Sequence, residues 1–388
     1  MKNPSKYLGN ELKYIAKVLN AESWSSTGGS WNNSLERAFC EKLGVKHAVA
    51  MNSGTATLHC ALKVAGVGRW DEVISPAITV IMDAAATIHA GATPVYADVD
   101  PKTFNVDPED IERKVGPRTK AIIAVALYGL MPDMDRIMEI AQRYNLTVIE
   151  DDAQCVLGSY NGRMAGTIGH MASFSFETTK HLSCGEGGIL VTNDEKMAED
   201  ARKLGGHGYK NLKADEGRIR LNQEVFQDPG YKRHDVIGYN YRLNEFSAAI
   251  ALAQLERADE LVEKRMQVAN MFWDEMRQCD YLIPQHVPDG CVNSYYTLGV
   301  RYEGEKSIGV SWQGFRKKYI ENGGDGIYAA WSIPYQEPAM CNVYTPYPHC
   351  PVAEALQPKL MQFKTNYRDM DLALMKAEAL GRTIRGYA

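Results

Sequence analysis

Apolar positions along the chain fall into two rhythms. Residues 6–20 place Leu8, Leu12, Ile15, Ala16 and Leu19 on one helical face, and residues 32–43 do the same through Leu35, Phe39 and Leu43. His47–Met51 is a short apolar run, read as a strand. A helix follows it, with Leu58, Ala61, Leu62 and Ala65 at helical spacing. From there short runs rich in β-branched residues alternate with helical stretches. The runs are 72–75, 93–97, 121–127, 146–150 and 189–193, and the helical stretches near 79–90, 108–114 and 133–144. Strands separated by helices predict an α/β domain with a mostly parallel sheet covered on both faces. One helix is expected over 244–275. Beyond it the pattern changes to a half-exposed strand at 295–301, a helix at 312–321 and two helical patterns in 352–386. This predicts a smaller α+β domain, with the boundary after residue 256: a large domain over 1–256 and a small one over 257–388. Loops are expected at 25–30, at 205–236 and, rich in Pro and Tyr, at 333–351.

The strand ends hold the candidate chemistry, because ligands of parallel sheets bind beyond the carboxyl ends of the strands. Asn52-Ser-Gly-Thr55 lies between a strand and a helix start, where unpaired amides and the helix dipole attract a phosphate or simply accept an N-cap. Glu150-Asp-Asp152 closes another strand. Ser173-Phe-Ser-Phe-Glu-Thr-Thr-Lys180-His-Leu-Ser-Cys-Gly-Glu-Gly-Gly188 carries a lysine on a turn at the end of a buried strand. Poor solvation there disfavours the ammonium and makes the amine nucleophilic, as a Schiff-base lysine requires.

Composition narrows the partners. The chain has 388 residues, 45% hydrophobic and 23% charged, with a net charge of −5, and shows no basic block suited to nucleic acid. No apolar stretch is long enough to span a membrane, and the start lacks the apolar core of a signal peptide. The eight cysteines show no CxxC pair or zinc spacing, so no metal is expected and they read as free thiols in a reducing cytoplasm.

Asn52-Ser-Gly-Thr-Ala56, Val148-Ile-Glu-Asp-Asp-Ala-Gln154, Ser173 through Lys180, Gly185-Glu-Gly-Gly188 and Gly238-Tyr-Asn-Tyr-Arg-Leu-Asn-Glu245 occur in this order. Together they resemble the DegT/DnrJ/EryC1/StrS family of sugar aminotransferases, over nearly the whole chain. The resemblance implies the aspartate-aminotransferase-like fold type I and pyridoxal 5'-phosphate as cofactor. It implies covalent attachment and proton transfer by Lys180, and Asp151 paired with the pyridine nitrogen so that the ring acts as an electron sink. Gln154 would lie on the ring-hydroxyl side. Gly54, Thr55 and Ser175 would bind the phosphate. Asn240, or else Arg242, would reach the phosphate of a neighbouring subunit, which implies a homodimer with shared sites. Asp152 is the less suitable carboxylate, since strand neighbours point to opposite sides.

The chain departs from the family at three places. Val80 stands where an aromatic usually stacks on the ring, Ala126 where a histidine is common, and His181 where asparagine follows the lysine. The expected activity is transfer of an amino group, from a donor such as glutamate, to a keto- or aldehydo-sugar. The acceptor is either a nucleotide-linked 4-keto-6-deoxysugar or 8-amino-3,8-dideoxy-octulosonate's precursor in lipopolysaccharide synthesis. The second would need an anion clamp, for which Arg233, Arg242 and His207 are candidates. A pyridoxamine-phosphate-dependent dehydratase and an inactive regulator are the alternatives. Substrate selectivity is expected in the loops 205–236 and 333–351.

Overall fold

The computed structural model describes residues 6–21, 30–217, 221–277, 279–340, 343 and 347–387. Its strands are β1 (His47–Met51), β2 (Glu72–Pro76), β3 (Thr93–Ala97), β4 (Thr119–Val125), β5 (Thr147–Asp151), β6 (Ser159–Tyr160), β7 (Arg163–Met164), β8 (Met171–Ser175), β9 (Gly188–Thr192), β10 (Leu282–Pro284), β11 (Cys291–Val292), β12 (Thr297–Tyr302), β13 (Tyr328–Ala329) and β14 (Leu360–Lys364). The first four helices are α1 (Glu11–Leu19), α2 (Trp31–Leu43), α3 (Gly54–Val64) and α4 (Met82–His89).

The main sheet runs β1-β9-β8-β5-β4-β2-β3. From β8 to β3 every neighbouring pair is parallel, and β9 is antiparallel to both of its neighbours. Alternation along each strand sends successive side chains to opposite faces. On β2, Val73 joins a core with Leu58 and Leu62 of α3, whereas Ile74 joins one with Ile137 and Ile140 of the helix Met134–Tyr144. Covered faces explain why these strands read as continuous apolar runs. Burying a Leu- or Ile-sized side chain stabilises by about 1.5–3 kcal/mol, so both layers are strongly held.

A second, antiparallel sheet runs β10-β12-β14-β13. It packs under the helices Ala258–Met276 and Met370–Arg385, which bury Val268, Phe272, Ala377 and Leu380 against Leu298, Val300 and Phe363. A small ribbon, β11-β6-β7, joins the C-terminal part to the first.

Some expectations change. The single helix over 244–275 is two, Glu245–Leu255 and Ala258–Met276, broken at Glu256–Arg257. The first buries an alanine-rich face in the core shared with α2, and the second covers the C-terminal sheet; one straight axis cannot serve both. The two helical patterns of 352–386 enclose β14, which pairs with β12 and β13 on either side. Leu360, Met361, Gln362 and Phe363 are all buried there, so tertiary packing overrides the helix preference of Leu and Met. The loop 205–236 contains a short helix, Gln223–Gln227. The loop 333–351 is largely docked, with Ile333, Tyr335, Met340 and Cys350 buried against Tyr96 and Phe104. Of the loop expected at 25–30, residues 25–29 lie outside the described residues.

Candidate active site

Ends of β1, β5 and β8 converge beside one turn. After β1 the chain turns through Asn52 and Ser53 into α3. Ser53 Oγ caps that helix by accepting from Ala56 N–H at 3.0 Å. The first-turn amides of Gly54 and Thr55 lie beyond the reach of any intrahelical acceptor. Ser175, the last residue of β8, sits against this helix start: a Cβ on Gly54 would stand 3.0 Å from the Ser175 Cβ. On the other side, a Cβ on Gly188 would stand 2.7 Å from the backbone carbonyl of Ser53, so only glycine lets β9 pass. Gly54, Thr55 and Ser175 are therefore brought together, with the helix dipole positive towards them.

Glu150, Asp151 and Asp152 are all buried, in different surroundings. Glu150 accepts N–H bonds from Gly166 at 3.0 Å and Ile168 at 2.8 Å, tying down the segment after the ribbon. Asp152 has one carboxyl oxygen without a partner, and burial with the Glu150 and Asp151 charges pushes its carboxyl well up. Asp151 accepts from Ala153 N–H at 3.1 Å and interacts with the Lys180 charge. Burial raises its carboxyl, and the Ala153 bond, Lys180 and a bond to Asp83 oppose that rise. Gln154 accepts from Tyr128 N–H at 2.8 Å. Its oxygen is thus held, and the NH₂ end is left to meet a ligand.

Lys180 sits on the turn after β8, half-buried and not enclosed as the sequence suggested. Its Nζ lies 4.6 Å from the ring centroid of Tyr296. The turn's main chain is clamped from outside. Arg265, 5% exposed, donates to the carbonyls of Thr179 at 2.7 Å, Lys180 at 3.0 Å and Tyr296 at 2.7 Å. Lys6 Nζ donates to Thr178 O at 2.7 Å, and burial with the Arg265 charge brings its ammonium down to about 8. His181 turns the other way from its neighbour. It is 2% exposed, and its Nε2–H donates to Ser294 O at 2.9 Å. Burial and the Arg265 charge hold its imidazole well below the ordinary range, so it is neutral. It joins the lysine turn to the C-terminal segment.

Beside Thr179 and Tyr296 opens a cleft of about 770 Å³. Tyr328, Trp331, Lys364 and Asn366 line it as well. Tyr328 is 64% and Trp331 41% exposed, which suits aromatic faces offered to a ligand. Val80 is half-buried, in the turn between β2 and α4.

Asn240 and Arg242 lie along the β1 turn of their own chain, where Asn52 N–H donates to Tyr241 O at 2.8 Å. Asn240 is exposed, and Arg242 donates to His207 Nδ1 at 2.9 Å. Arg233 is not joined to this group. Its guanidinium donates to Phe226 O at 2.6 Å and stacks over the Phe226 ring, so the three proposed clamp residues do not gather as one.

Sequence reasoning missed Asp83, Arg265, Tyr296, Tyr328 and Trp331. Asp83 had a signal, an acid inside the apolar stretch Ile81-Met-Asp-Ala-Ala. The others come from a distant part of the chain and carried none.

A model of the DegT/DnrJ/EryC1/StrS aminotransferase family matches residues 7–366. The chain belongs to this family. The family depends on pyridoxal phosphate. Among curated relatives, a GDP-perosamine synthase of Caulobacter vibrioides is 42% identical over 265 residues, 68% of this chain and 66% of the relative. The spore coat polysaccharide biosynthesis protein SpsC of Bacillus subtilis is 38% identical over 301 residues, 78% of this chain and 75% of the relative. The X-ray structure of an aminotransferase from Psychrobacter cryohalolentis superposes with a TM-score of 0.89 at 29% identity, over 100% of this chain and 99% of the other. This places the chain among aminotransferases of fold type I.

The site's own chemistry suits the cofactor. The helix start with Ser175 offers donors to a dianionic phosphate. A buried carboxylate lies within electrostatic reach of the lysine amine, and the glutamine beside it presents donors. Among the described residues no group of three His, Cys, Asp or Glu could hold a metal, and no helix is long and apolar enough to cross a membrane.

Proposed function

We propose that this protein transfers an amino group from an amino acid, with glutamate as the expected donor, onto the carbonyl of a nucleotide-linked keto-sugar. The observation that supports this reading is that β5 pairs with β8, Asp151 opposite Ser173, while Ser175 packs on the helix start at Gly54, so Asp151, the lysine turn and the unpaired amides lie at neighbouring strand ends. Pyridoxal phosphate, when bound, supplies the electron sink for breaking a bond at the substrate's amine-bearing carbon. Asp151 would pair with its ring nitrogen, and Gln154 would present its NH₂ to the ring hydroxyl. Gly54, Thr55 and Ser175 would donate to the phosphate. Val80 would pack on the ring, offering apolar contact without the geometry of stacking. Lys180 would hold the cofactor covalently at rest and then, freed, move a proton at Nζ. Tyr296, whose ring lies 4.6 Å from the amine, would help to hold it in place beside the cleft. Asn240, with Arg242 as the alternative, would serve the phosphate of a second chain in a homodimer.

The cleft supports a sugar acceptor. Tyr328 and Trp331 present flat apolar faces that suit the C–H face of a sugar ring, and Lys364 and Asn366 offer polar contacts at the rim. The relative named GDP-perosamine synthase makes a nucleotide-linked sugar the first acceptor class to test.

The decisive experiment reduces the holoprotein with borohydride and maps the modified peptide by mass spectrometry. Cofactor joined to Lys180 is expected. Cofactor bound but joined nowhere would replace this reading with the dehydratase, and no cofactor uptake at all would point to a regulator. A panel of nucleotide-linked and acidic keto-sugars, offered to the amine-loaded form, then decides the acceptor.

A further inference from the structure

We propose that Tyr296 is a specificity-determining residue whose phenol oxygen accepts a hydrogen bond from the acceptor sugar, at the hydroxyl next to the carbon that receives the amine. This rests on the reading of a nucleotide-linked keto-sugar given above.

The Tyr296 side chain stands between the lysine and the cleft. Its ring centroid lies 4.6 Å from Lys180 Nζ, and it lines the cleft together with Tyr328 and Trp331. Its main chain is held without help from the phenol. The Tyr296 carbonyl accepts from Arg265 Nη1 at 2.7 Å and from Thr365 Oγ1 at 2.8 Å. The phenol oxygen lies 2.9 Å from Thr179 Oγ1. Thr179 is itself committed to Glu177: its hydroxyl donates to Glu177 Oε2 at 2.6 Å, and its N–H donates to the same oxygen at 2.9 Å.

These bonds fix the direction of the chain. A carboxylate only accepts, so the Thr179 hydroxyl proton goes to Glu177. A threonine hydroxyl has one proton, so towards Tyr296 it can only accept. The Tyr296 O–H therefore donates to Thr179, and its oxygen keeps only lone pairs for a ligand in the cleft. A ligand that covers this oxygen displaces its water and must bring a donor, since an acceptor left unmet is costly. The site thus selects an O–H or N–H at this point over a carbonyl, a ring oxygen or a methyl group.

The lysine decides which part of the ligand meets the oxygen. The amine that would move a proton at the reacting carbon lies against the same aromatic ring. The group bound by Tyr296 therefore belongs near that carbon and not to the distant nucleotide. In a 4-keto-6-deoxysugar the carbonyl has two neighbours. Carbon 5 carries the ring oxygen and the methyl group, and carbon 3 carries a hydroxyl. The hydroxyl on carbon 3 is the one adjacent donor, so an acceptor with a methylene there leaves the Tyr296 oxygen unmet.

The test measures Kd by isothermal titration calorimetry on the holoprotein. GDP-, UDP- and dTDP-linked 6-deoxyhexoses have a hydroxyl where the amine would be placed, so they bind without reacting. The tightest binder of the three is compared with its 3-deoxy-3-fluoro analogue, whose fluorine cannot donate. Wild type should bind the hydroxyl compound about tenfold more tightly, as expected for one hydrogen bond and an acceptor otherwise left unmet. Tyr296→Phe keeps the ring and removes the oxygen, and should bring the two compounds to within about twofold. Thr179→Val frees the Tyr296 O–H to turn towards the fluorine, and should narrow the difference to about threefold. Equal Kd for the two compounds in wild type, or a difference unchanged in either variant, overturns the proposal. If wild type binds at least one of the nucleotide sugars in such a case, only the role of Tyr296 falls. If wild type binds none of them, the nucleotide-sugar reading falls and takes this role with it.

Discussion

Arg265 donates to the main-chain carbonyl of Lys180 at 3.0 Å, reaching it from the helix Ala258–Met276 that covers the other sheet. The same guanidinium holds the carbonyls of Thr179 and Tyr296, so it fixes the lysine turn and the ring beneath the amine together. Replacing it by methionine should cost on the order of 3 kcal/mol, since several bonds to a charged donor are lost and buried carbonyls are left unpaired. Lysine should restore only part, because one ammonium lacks the planar fork. Urea denaturation reads the stability, and kcat should fall with it in both variants.

Lys180→Ala should leave the fold intact, since the side chain is half-buried and packs on Tyr296 alone among the contacts described. Amine transfer should drop roughly a thousandfold, within the range for removing an acid–base group. Cofactor should still bind through the remaining groups. Thermal melting, cofactor dialysis and turnover, measured side by side, separate these effects.

Gly188→Ala tests the crossing of β9 over the β1 turn. The new methyl would stand 2.7 Å from the Ser53 carbonyl and 2.8 Å from Gly54 N, which are backbone atoms with no rotamer to change. A stability loss of about 1–3 kcal/mol is expected, as for other overpacked sites. Because the strain falls on the phosphate-facing turn, phosphate-bearing cofactor should lose more affinity than pyridoxal without phosphate. Equal losses for both would contradict this placement.

His181 predicts a pH effect on stability. Its folded-state pKa is depressed, so the unfolded chain takes up the proton first as pH falls. The stability tied to its neutral form is complete above the unfolded value of about 6.5 and is lost below it, at up to about 1.4 kcal/mol per pH unit. His181→Asn can still donate to Ser294 O and should flatten this acid limb. Denaturation midpoints between pH 7 and pH 5 check the difference in slope.

Asp152 predicts the opposite limb. Its folded-state pKa is raised by burial, so its contribution is best at low pH and declines as pH rises from the unfolded value of about 3.9 towards the folded one. Asp152→Asn should therefore raise the melting temperature at pH 8 more than at pH 5. An equal gain at both would mean that the carboxyl is not the cause.

By itself the sequence determined the layered α/β body and marked its strand ends as the place for candidate chemistry. Runs such as Ala121–Val125 must be covered on both faces, and the Asn52–Thr55 turn, the acidic strand end at Asp151 and Lys180 stand out by residue type and strand position, whereas Gln154 and Ser175 were marked only by the family resemblance. Their order along the chain also carried the family. What lay beyond the sequence depended on distance along the chain. The strand Leu360–Lys364 looks helical until neighbours on both sides claim its hydrogen bonds. Arg265 reaches the lysine turn only because its helix crosses from the second sheet. Even the lysine's immediate neighbour, His181, is explained from afar, by the carbonyl of Ser294. Local backbone preference and periodicity are written in adjacent residues, whereas the pairing of buried charges is set by which surfaces meet, and that is decided by packing alone.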